Sequence, residues 1–270
     1  MTREMIVEAL KAKGYTAKKK NVVKNGIECK GIMIGDPRRG AALVYTDQLL
    51  QFAENKQMSL EEITEEFIDI YKHSGGVKID VRQLLDREFL LAHMYIGLQR
   101  KGSEKLVKRS VKQLDGLESY LYIRAWEEEE ESAMTKVIAK MLQICGITED
   151  EAWERAENNT FAESIMLPVA GICENVVPME QRDNVPMYMV TNYNVKYGAS
   201  AILNKKKLRE FGKKYHTDKI VMLPSSIHEV LIFPYDEEVD LNYYTALVNE
   251  VNEEVSPLQQ LADKAYLLTI

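Results

Sequence analysis

The segment KIVMLPSSIHEVLIFP, from Lys219 to Pro234, holds the residue types best suited to catalysis. Ser225 and Ser226 are followed by His228 and Glu229, between two apolar runs. A serine and a histidine act as nucleophile and general base when they are in hydrogen-bond contact and a third group orients the histidine. Because alternate residues of a strand share a face, Ser226 and His228 are predicted to reach one pocket, with Glu229 on the opposite face.

The same residues have a purely structural interpretation. Pro224 suits a strand end, where the missing N–H donor costs nothing, and two serines favour a turn through bonds from side chain to backbone. His228 then begins the next strand. The segment also lacks the G-x-S-x-G elbow that exposes a hydrolase serine. We therefore favour a strand, turn and strand, and keep a catalytic role as the alternative.

Metal and cofactor sites are not indicated by the remaining motifs. The histidines show no pair at helical spacing and no H-E-x-x-H motif, and they are His73, His93, His216 and His228. A metal site built from His228, Glu229 and Asp236 would depend entirely on the fold. The chain contains neither G-x-G-x-x-G nor a phosphate-binding G-x-x-x-x-G-K-[ST] loop. We expect no metal and no cofactor.

The charge pattern disfavours nucleic acid as a partner. The formal net charge is −7, which opposes binding to phosphates without local concentrations of Lys and Arg. Basic clusters occur at Lys11–Lys20, Lys101–Lys112 and Asn204–Lys214. None of them is interleaved with the aromatic residues that stack on bases. Single-stranded nucleic-acid binding through the third cluster remains a weaker hypothesis, and it would use Lys205, Lys206, Lys207, Lys213 and Lys214.

A cytoplasmic location is expected. Cys29, Cys145 and Cys173 show no metal-ligand spacing and leave an odd thiol after any pairing, which is typical of free thiols in a reducing compartment. The first residues, MTREMIVEALKAKGY, do not have the pattern of a secretory signal. No window approaches the roughly 18 apolar residues of a membrane span.

The elements of the first section are predicted from local signals. Apolar spacing indicates a helix that stops at Gly14. The Asn25-Gly26 pair supplies the positive φ angles of a hairpin turn between two β-branched runs. Ser59 and Glu62 form a capping box at the start of a second helix, which is predicted to end at Gly75-Gly76.

The middle section combines helical and strand signals. A helix is predicted from Asp80 through Tyr95, and a strand from Ser119 to Trp126. A solvated turn or a helix start is expected at Glu127–Glu131. Residues 119–146 and 185–212 share a faint repeat of strand, turn, strand and short helix. The alternative is that Ala133 to Cys145 form one uninterrupted helix.

The last section has the clearest pattern. Strands are predicted at PMYMVTN and GASAILN, followed by a helix, two strands, a helix and a final strand. This ββαββαβ order indicates an α+β fold with mixed or antiparallel sheets and packed helices. We expect three sections: residues 1–76, 77–184 and 185–270.

Several segments together resemble an uncharacterised bacterial family of unknown function. They are NGIECKGIMIGD, MSLEEITEEFIDIY, ITEDEAWERAENNT, PMYMVTNYNVKYGASAIL, LPSSIHEVLIFP and VNEEV. Members of that family carry similar MYVLTN…GAS and LPSSIHEV elements, and the match is looser from Leu106 to Trp126. The resemblance implies a cytoplasmic bacterial protein of accessory character, and it implies no activity, cofactor or catalytic residue.

Three functional hypotheses follow. The leading one is a non-catalytic binding or regulatory protein with a protein partner, because no complete catalytic constellation is present. A hydrolase-like enzyme that uses Ser226 and His228 is the alternative, and nucleic-acid binding is the weaker third. The density of tyrosines in the last section suits a binding surface and the margin of a core equally well.

Overall fold

The computed structural model describes residues 1–36, 40–74, 83–127, 132–169 and 186–270. The chain forms two compact units, Met1–Asp80 and Val81–Ile270, here termed the N-terminal and C-terminal units. Within the described residues, helices accompany three antiparallel sheets. The predicted α+β class is confirmed. Across those same residues, no helix is long and apolar enough to cross a membrane.

The N-terminal unit packs helices on one antiparallel sheet of order β1-β2-β3. Its strands are β1 (Ala17–Lys24), β2 (Ile27–Asp36) and β3 (Gly40–Tyr45). Its helices are α1 (Arg3–Ala12), α2 (Asp47–Asn55) and α3 (Leu60–Ser74). The apolar stripes of the helices meet the sheet in one core, which includes Ile6, Leu10, Ile32, Ile34, Ile63 and Phe67.

The turn and cap predicted for this unit are confirmed. Asn25 and Gly26 adopt φ angles of 51° and 74° between β1 and β2, the left-handed conformation that a two-residue hairpin loop requires. At the start of α3, the Glu62 N–H donates to Ser59 Oγ (3.2 Å), and the Ser59 N–H donates back to the Glu62 carboxylate (2.8 Å). The Gly75-Gly76 stop lies outside the described residues, immediately after the end of α3.

The C-terminal unit contains two sheets and several helices. Its strands are β4 (Met94–Arg100), β5 (Lys108–Ser110), β6 (Leu117–Glu127), β7 (Ser132–Lys136), β8 (Ser164–Pro168), β9 (Tyr188–Asn192), β10 (Lys219–Pro224), β11 (Val230–Pro234) and β12 (Tyr266–Thr269). Its α-helices are α4 (Arg87–Ala92), α5 (Ala139–Ile144), α6 (Glu149–Glu163), α7 (Lys205–Tyr215) and α8 (Leu241–Glu254). Short 3-10 helices span Gln83–Leu85 and Gly198–Leu203.

The long strand β6 organises the first sheet, and β10 and β11 lie inside the second. Strand β6 pairs with β4 on one side and with β5 and β7 along the other. The second sheet has the order β12-β10-β11-β9-β8. Strand β8, from the predicted middle section, therefore pairs with β9 of the predicted last section. Both strands belong to the C-terminal unit.

The helix predicted from Asp80 through Tyr95 is wrong in the part that the structure describes. Asp86 interrupts it, because its carboxylate accepts the N–H of Phe89 (2.7 Å) and caps a new helix, α4. Met94 and Tyr95 then begin β4, which the sequence interpretation missed. This strand is buried on both faces, so it lacks the alternation that marks a half-exposed strand.

The repeat unit of strand, turn, strand and short helix is found in residues 119–146 but not in residues 185–212. Strands β6 and β7 form the expected hairpin, so the alternative of one helix from Ala133 to Cys145 is wrong; the described residues do not include Glu128–Glu131. In the second copy, GASAIL forms the 3-10 helix Gly198–Leu203 instead of a strand. Gly212 lies inside α7 instead of ending it. With that one exception, the predicted order of elements after residue 185 is confirmed.

Candidate functional site

The segment from Ser225 to Glu229 is a loop that joins two paired strands. Strands β10 and β11 pair up to Pro224 opposite Val230, and the Ser226 N–H donates to the Glu229 carbonyl (3.1 Å) across the loop. We call residues 225–229 the His228 loop. The strand, turn and strand interpretation is therefore right for the backbone. The extended geometry expected for Ser226 and His228 is wrong.

The serine hydroxyls of this loop point at a carboxylate. Ser225 Oγ and Ser226 Oγ both donate to Glu229 Oε1, at 2.8 and 2.9 Å. Ser226 Oγ also accepts the backbone N–H of His228 (3.0 Å). The expectation that Glu229 faces away from Ser226 is wrong. The Ser226 hydroxyl hydrogen is engaged by Glu229, and not by the His228 ring.

The His228 ring binds a second loop, residues 193–198, which we call the Tyr197 loop. His228 Nδ1 accepts the backbone N–H of Tyr197 (3.1 Å), so the N–H of the neutral ring lies on Nε2. The His228 carbonyl accepts from Thr191 Oγ1 (2.7 Å). Burial raises the pKa of the Tyr197 hydroxyl, and its ring lies 5.4 Å from the His228 ring. These contacts of His228 join the PMYMVTN…GAS segment to the LPSSIHEV segment.

The Tyr197 loop has a constrained backbone. Val195 and Tyr197 have φ angles of 50° and 55°, a left-handed conformation that costs a side-chain-bearing residue about 1–3 kcal/mol. Asn192 holds the loop, because its Oδ1 accepts the Lys196 N–H (3.2 Å) and its Nδ2 donates to the Lys196 carbonyl (2.9 Å). Together with the His228 contacts, these bonds fix the loop in one conformation.

The two loops border a shallow cavity of about 420 Å³. Ser225, Ser226, His228 and Glu229 all line it, together with Glu254 and Gln259. Among the described residues, no group of three or more histidines, cysteines or acids is placed to hold a metal ion. His228, Glu229 and Asp236 do not form such a group.

A larger cavity of about 730 Å³ lies elsewhere in the C-terminal unit, between the first sheet, α6, the start of α7 and the end of β12. We call it the basic cleft. Its cations are Arg109, Lys112, Lys205, Lys206 and Arg209, with Glu157 as the acid in its wall. Its apolar surface includes Leu114, Trp153, Phe161, Ile202, Leu203 and Leu268. The volume falls in the range of small-molecule sites.

The cations of the basic cleft are largely uncompensated. In the part of the chain that the structure describes, Lys112, Lys205, Lys206 and Arg209 take part in no ion pair. Arg109 contacts Asp150 (3.2 Å), whose side chain is 98% exposed. The Arg109 guanidinium also lies over the Trp153 ring, 4.6 Å from its centre. The cleft therefore presents a positive surface over an apolar floor.

Two further features of the cleft concern Trp153 and the start of α7. The Trp153 indole N–H is buried and has no hydrogen-bond partner among the described residues. The first turn of α7 carries Lys205, Lys206 and Lys207 and no acid. Cations there oppose the helix dipole. Asn204 caps the helix by accepting the Lys207 N–H (3.3 Å).

The sequence interpretation found one side of this cleft and missed the other. It singled out Lys205–Lys207 with Lys213 and Lys214 as a basic cluster, but only Lys205 and Lys206 line the cavity. Lys214 instead donates to the Tyr188 hydroxyl (2.6 Å), and this bond lowers the pKa of Tyr188. Arg109 and Lys112 lie in the second basic cluster, Lys101–Lys112, which the sequence analysis did not connect with a site, and Trp153 gave no motif. The signals in the sequence were these two basic runs, one of them directly after the capping Asn204.

Comparison with known proteins places the chain in a family without assigning it an activity. No curated protein and no solved structure matches it. The model of a family of unknown function, DUF5688, matches residues 2–269. This match confirms the predicted membership of such a family. Since it covers nearly the whole sequence, the chain belongs to DUF5688, a family of unknown function.

Proposed function

We propose that the protein is a non-catalytic binding protein that takes an anionic small molecule into the basic cleft. One observation carries the proposal: a cavity of about 730 Å³ combines an apolar floor with a rim of cations, most of which have no ion-pair partner among the described residues. Cavities of this size and composition bury most of a small ligand, and a few polar groups set its orientation.

Electrostatics supports an anion as the ligand. The chain as a whole is acidic, with a formal net charge of −7, yet five cations and one acid line this cavity. Such a local excess attracts anions against the overall charge. An anion near Lys205 and Lys206 would also offset the unfavourable interaction of those lysines with the dipole of α7.

The His228 loop supports binding over hydrolysis. A general base must contact the hydroxyl whose proton it removes, but the Ser226 hydroxyl donates to Glu229 and His228 Nδ1 accepts from the Tyr197 backbone. These contacts are those of a structural connection between two loops. They favour the binding hypothesis over the hydrolase alternative.

A bacterial, cytoplasmic setting and a protein partner are part of the proposal. The setting rests on the sequence resemblance and on the thiol of Cys145, which is free and buried. Burial raises the pKa of Cys145, so less of it is in the reactive thiolate form at neutral pH. Affinity purification from the native host should recover the partner reproducibly.

The anion-binding proposal predicts that two substitutions weaken binding strongly. We expect the variant Lys206→Gln/Arg209→Gln to bind 8-anilinonaphthalene-1-sulfonate about tenfold more weakly than the unchanged protein, because both residues are exposed and each lost ion pair with the probe costs at most about 1 kcal/mol. Energy transfer from Trp153 to the probe measures the affinity. The chain has two tryptophans, so a Trp126→Phe background leaves Trp153 as the single donor.

Lys213→Gln is the matched control for that experiment. Lys213 is exposed in the last turn of the same helix and does not line the cleft. Its loss removes one positive charge without removing a contact to the ligand. Equal affinities for the unchanged protein, the double variant and this control would contradict the proposal.

Asp150→Asn is expected to tighten binding of the same probe. The ion pair between Arg109 and the exposed Asp150 is worth at most about 1 kcal/mol, and its removal frees Arg109 for the ligand. We expect up to about a fivefold gain in affinity. Glu154→Gln removes an exposed acid from the same helix without freeing Arg109 and serves as the control. If both variants gain the same affinity for the probe, the cause is the change in net charge and not the release of Arg109.

A further inference from the structure

We infer that the ligand of the basic cleft is a carboxylate with an unbranched acyl chain, which a cavity of about 730 Å³ can accommodate. This inference rests on the proposed function and narrows it to one class of anion. Three properties of the cleft wall carry it: three neutral polar side chains that are already engaged, a tryptophan face that is already covered, and an aliphatic floor.

Three of the five neutral polar side chains in the described wall are engaged within the protein. The Gln113 amide both accepts from and donates to the backbone of Thr269, at 2.8 and 3.2 Å. Asn204 donates to Ser164 Oγ (2.9 Å) while capping α7. Ser119 Oγ donates to the Arg109 carbonyl (3.2 Å).

The polar groups of the cleft wall that are not engaged within the protein suit a charged head group. The remaining polar side chains of the described wall are the hydroxyls of Ser110 and Thr269, the Glu157 carboxylate and the five cations of the rim, all on exposed residues. The Trp153 N–H is buried and has no partner among the described residues. Recognition of a nucleobase or a sugar needs neutral donors and acceptors that are free to pair with it. A carboxylate needs only N–H donors and positive charge.

The Trp153 face is not free to stack on a planar ligand. The guanidinium of Arg109 covers it at 4.6 Å, which leaves Phe161 as the second aromatic residue in the described wall. Proteins that bind bases through stacking present open aromatic faces. A ligand with a large planar ring would therefore have to displace Arg109.

The floor is built from branched aliphatic side chains. It comprises Val111, Leu114, Ile202, Leu203, Leu208 and Leu268. Binding to such a surface has no directional preference, and its favourable free energy depends on the apolar area that is buried. A flexible hydrocarbon chain can follow it, while its carboxylate stays at the cationic rim.

The test is calorimetric titration with hexanoate, octanoate and decanoate below their micelle-forming concentrations. We expect affinity to rise about fourfold for each methylene that enters the cleft. Decan-1-ol, which has the chain without the charge, should bind more weakly than decanoate. The variant Lys206→Gln/Arg209→Gln should lose about tenfold in decanoate affinity, the loss expected for two exposed ion pairs, and keep its affinity for decan-1-ol.

Adenosine monophosphate, an anion with a planar base, separates this inference from the proposed function. If it binds and loses affinity in the double variant, while decanoate shows no chain-length dependence, the acyl class is wrong and anion binding stands. Decanoate binding that is indifferent to the double variant also overturns the inference, because the apolar contact would then lie outside the cleft. If no anion binds, including the sulfonate probe, both proposals fail.

Discussion

Alanine at position 198 is expected to destabilise the C-terminal unit by about 3 kcal/mol, at the upper end of the usual cost of overpacking. A Cβ atom on Gly198 would lie 2.3 Å from Thr191 Oγ1, 2.6 Å from the Asn192 nitrogen and 2.7 Å from the His228 carbonyl oxygen. Two of these atoms are backbone, and the Thr191 hydroxyl donates to that same His228 carbonyl. No side-chain rotation can relieve the clash, so the Tyr197 and His228 loops must separate.

Urea unfolding followed by tryptophan fluorescence measures this loss, since both tryptophans lie in the C-terminal unit. Thr191→Ala alone should cost about 1 kcal/mol, the usual value of one hydrogen bond. Adding Thr191→Ala to Gly198→Ala should not restore stability, because the two backbone contacts remain. A Gly198→Ala protein that unfolds with the midpoint of the unchanged chain would show that the two loops are not held in contact.

Elements that depend on a few neighbouring residues were predictable from the sequence. The Asn25-Gly26 turn and the Ser59 capping box were both predicted, because their geometry is decided by side chains within four positions. Most strands of the second sheet were predicted for a similar reason, since short apolar runs bounded by Pro, Asn or Ser have few alternative structures.

Elements decided by tertiary contacts were not predictable in the same way. Gly198 to Ala201 have the small and apolar residues of a strand, yet they form a buried 3-10 helix against Thr191 and His228. Strand β4 is buried on both faces and sits between β6 and α6, where the Ile96 N–H donates to Thr160 Oγ1 (2.9 Å). Neither environment leaves a periodic signal in the sequence.

The candidate functional residues show the same difference between local signals and tertiary contacts. The sequence located the His228 loop, but it placed Glu229 on the wrong face because a loop was treated as a strand. The basic cleft brings together Arg109 from β5, Trp153 from α6 and Lys206 from α7. These residues are distant in the chain and become neighbours only when the sheet, α6 and the start of α7 pack together.

Methionine in place of Lys136 is expected to destabilise the C-terminal unit by about 3 kcal/mol, because it leaves a buried carboxylate without its cation. Lys136 Nζ contacts Glu104 Oε1 (2.7 Å) and Gln99 Oε1 (2.8 Å). The Glu104 side chain is 9% exposed. Gln99 also donates to Glu118 (2.9 Å), which Lys108 contacts at 3.0 Å. The loss of one cation therefore disturbs a network that links β4, β5, β6 and β7.

A double variant separates the unpaired charge from the loss of packing. In Glu104→Gln/Lys136→Met, a neutral amide replaces the carboxylate. The methionine supplies an apolar stem in place of the lysine stem, whose Nζ lies 4.8 Å from the centre of the Tyr120 ring. We expect this variant to regain most of the lost stability in urea unfolding, because exchanging a whole buried pair for neutral groups is often close to neutral.

Lys11→Met supplies the surface comparison. Lys11 pairs with Glu8 at 2.9 Å, but the two side chains are 51% and 71% exposed, and such pairs contribute at most about 1 kcal/mol. The difference between the two lysines thus isolates burial as the cause. If Lys136→Met costs no more than Lys11→Met, water must reach Glu104 as readily as it reaches Glu8. The network would then orient the strands of the first sheet without stabilising them.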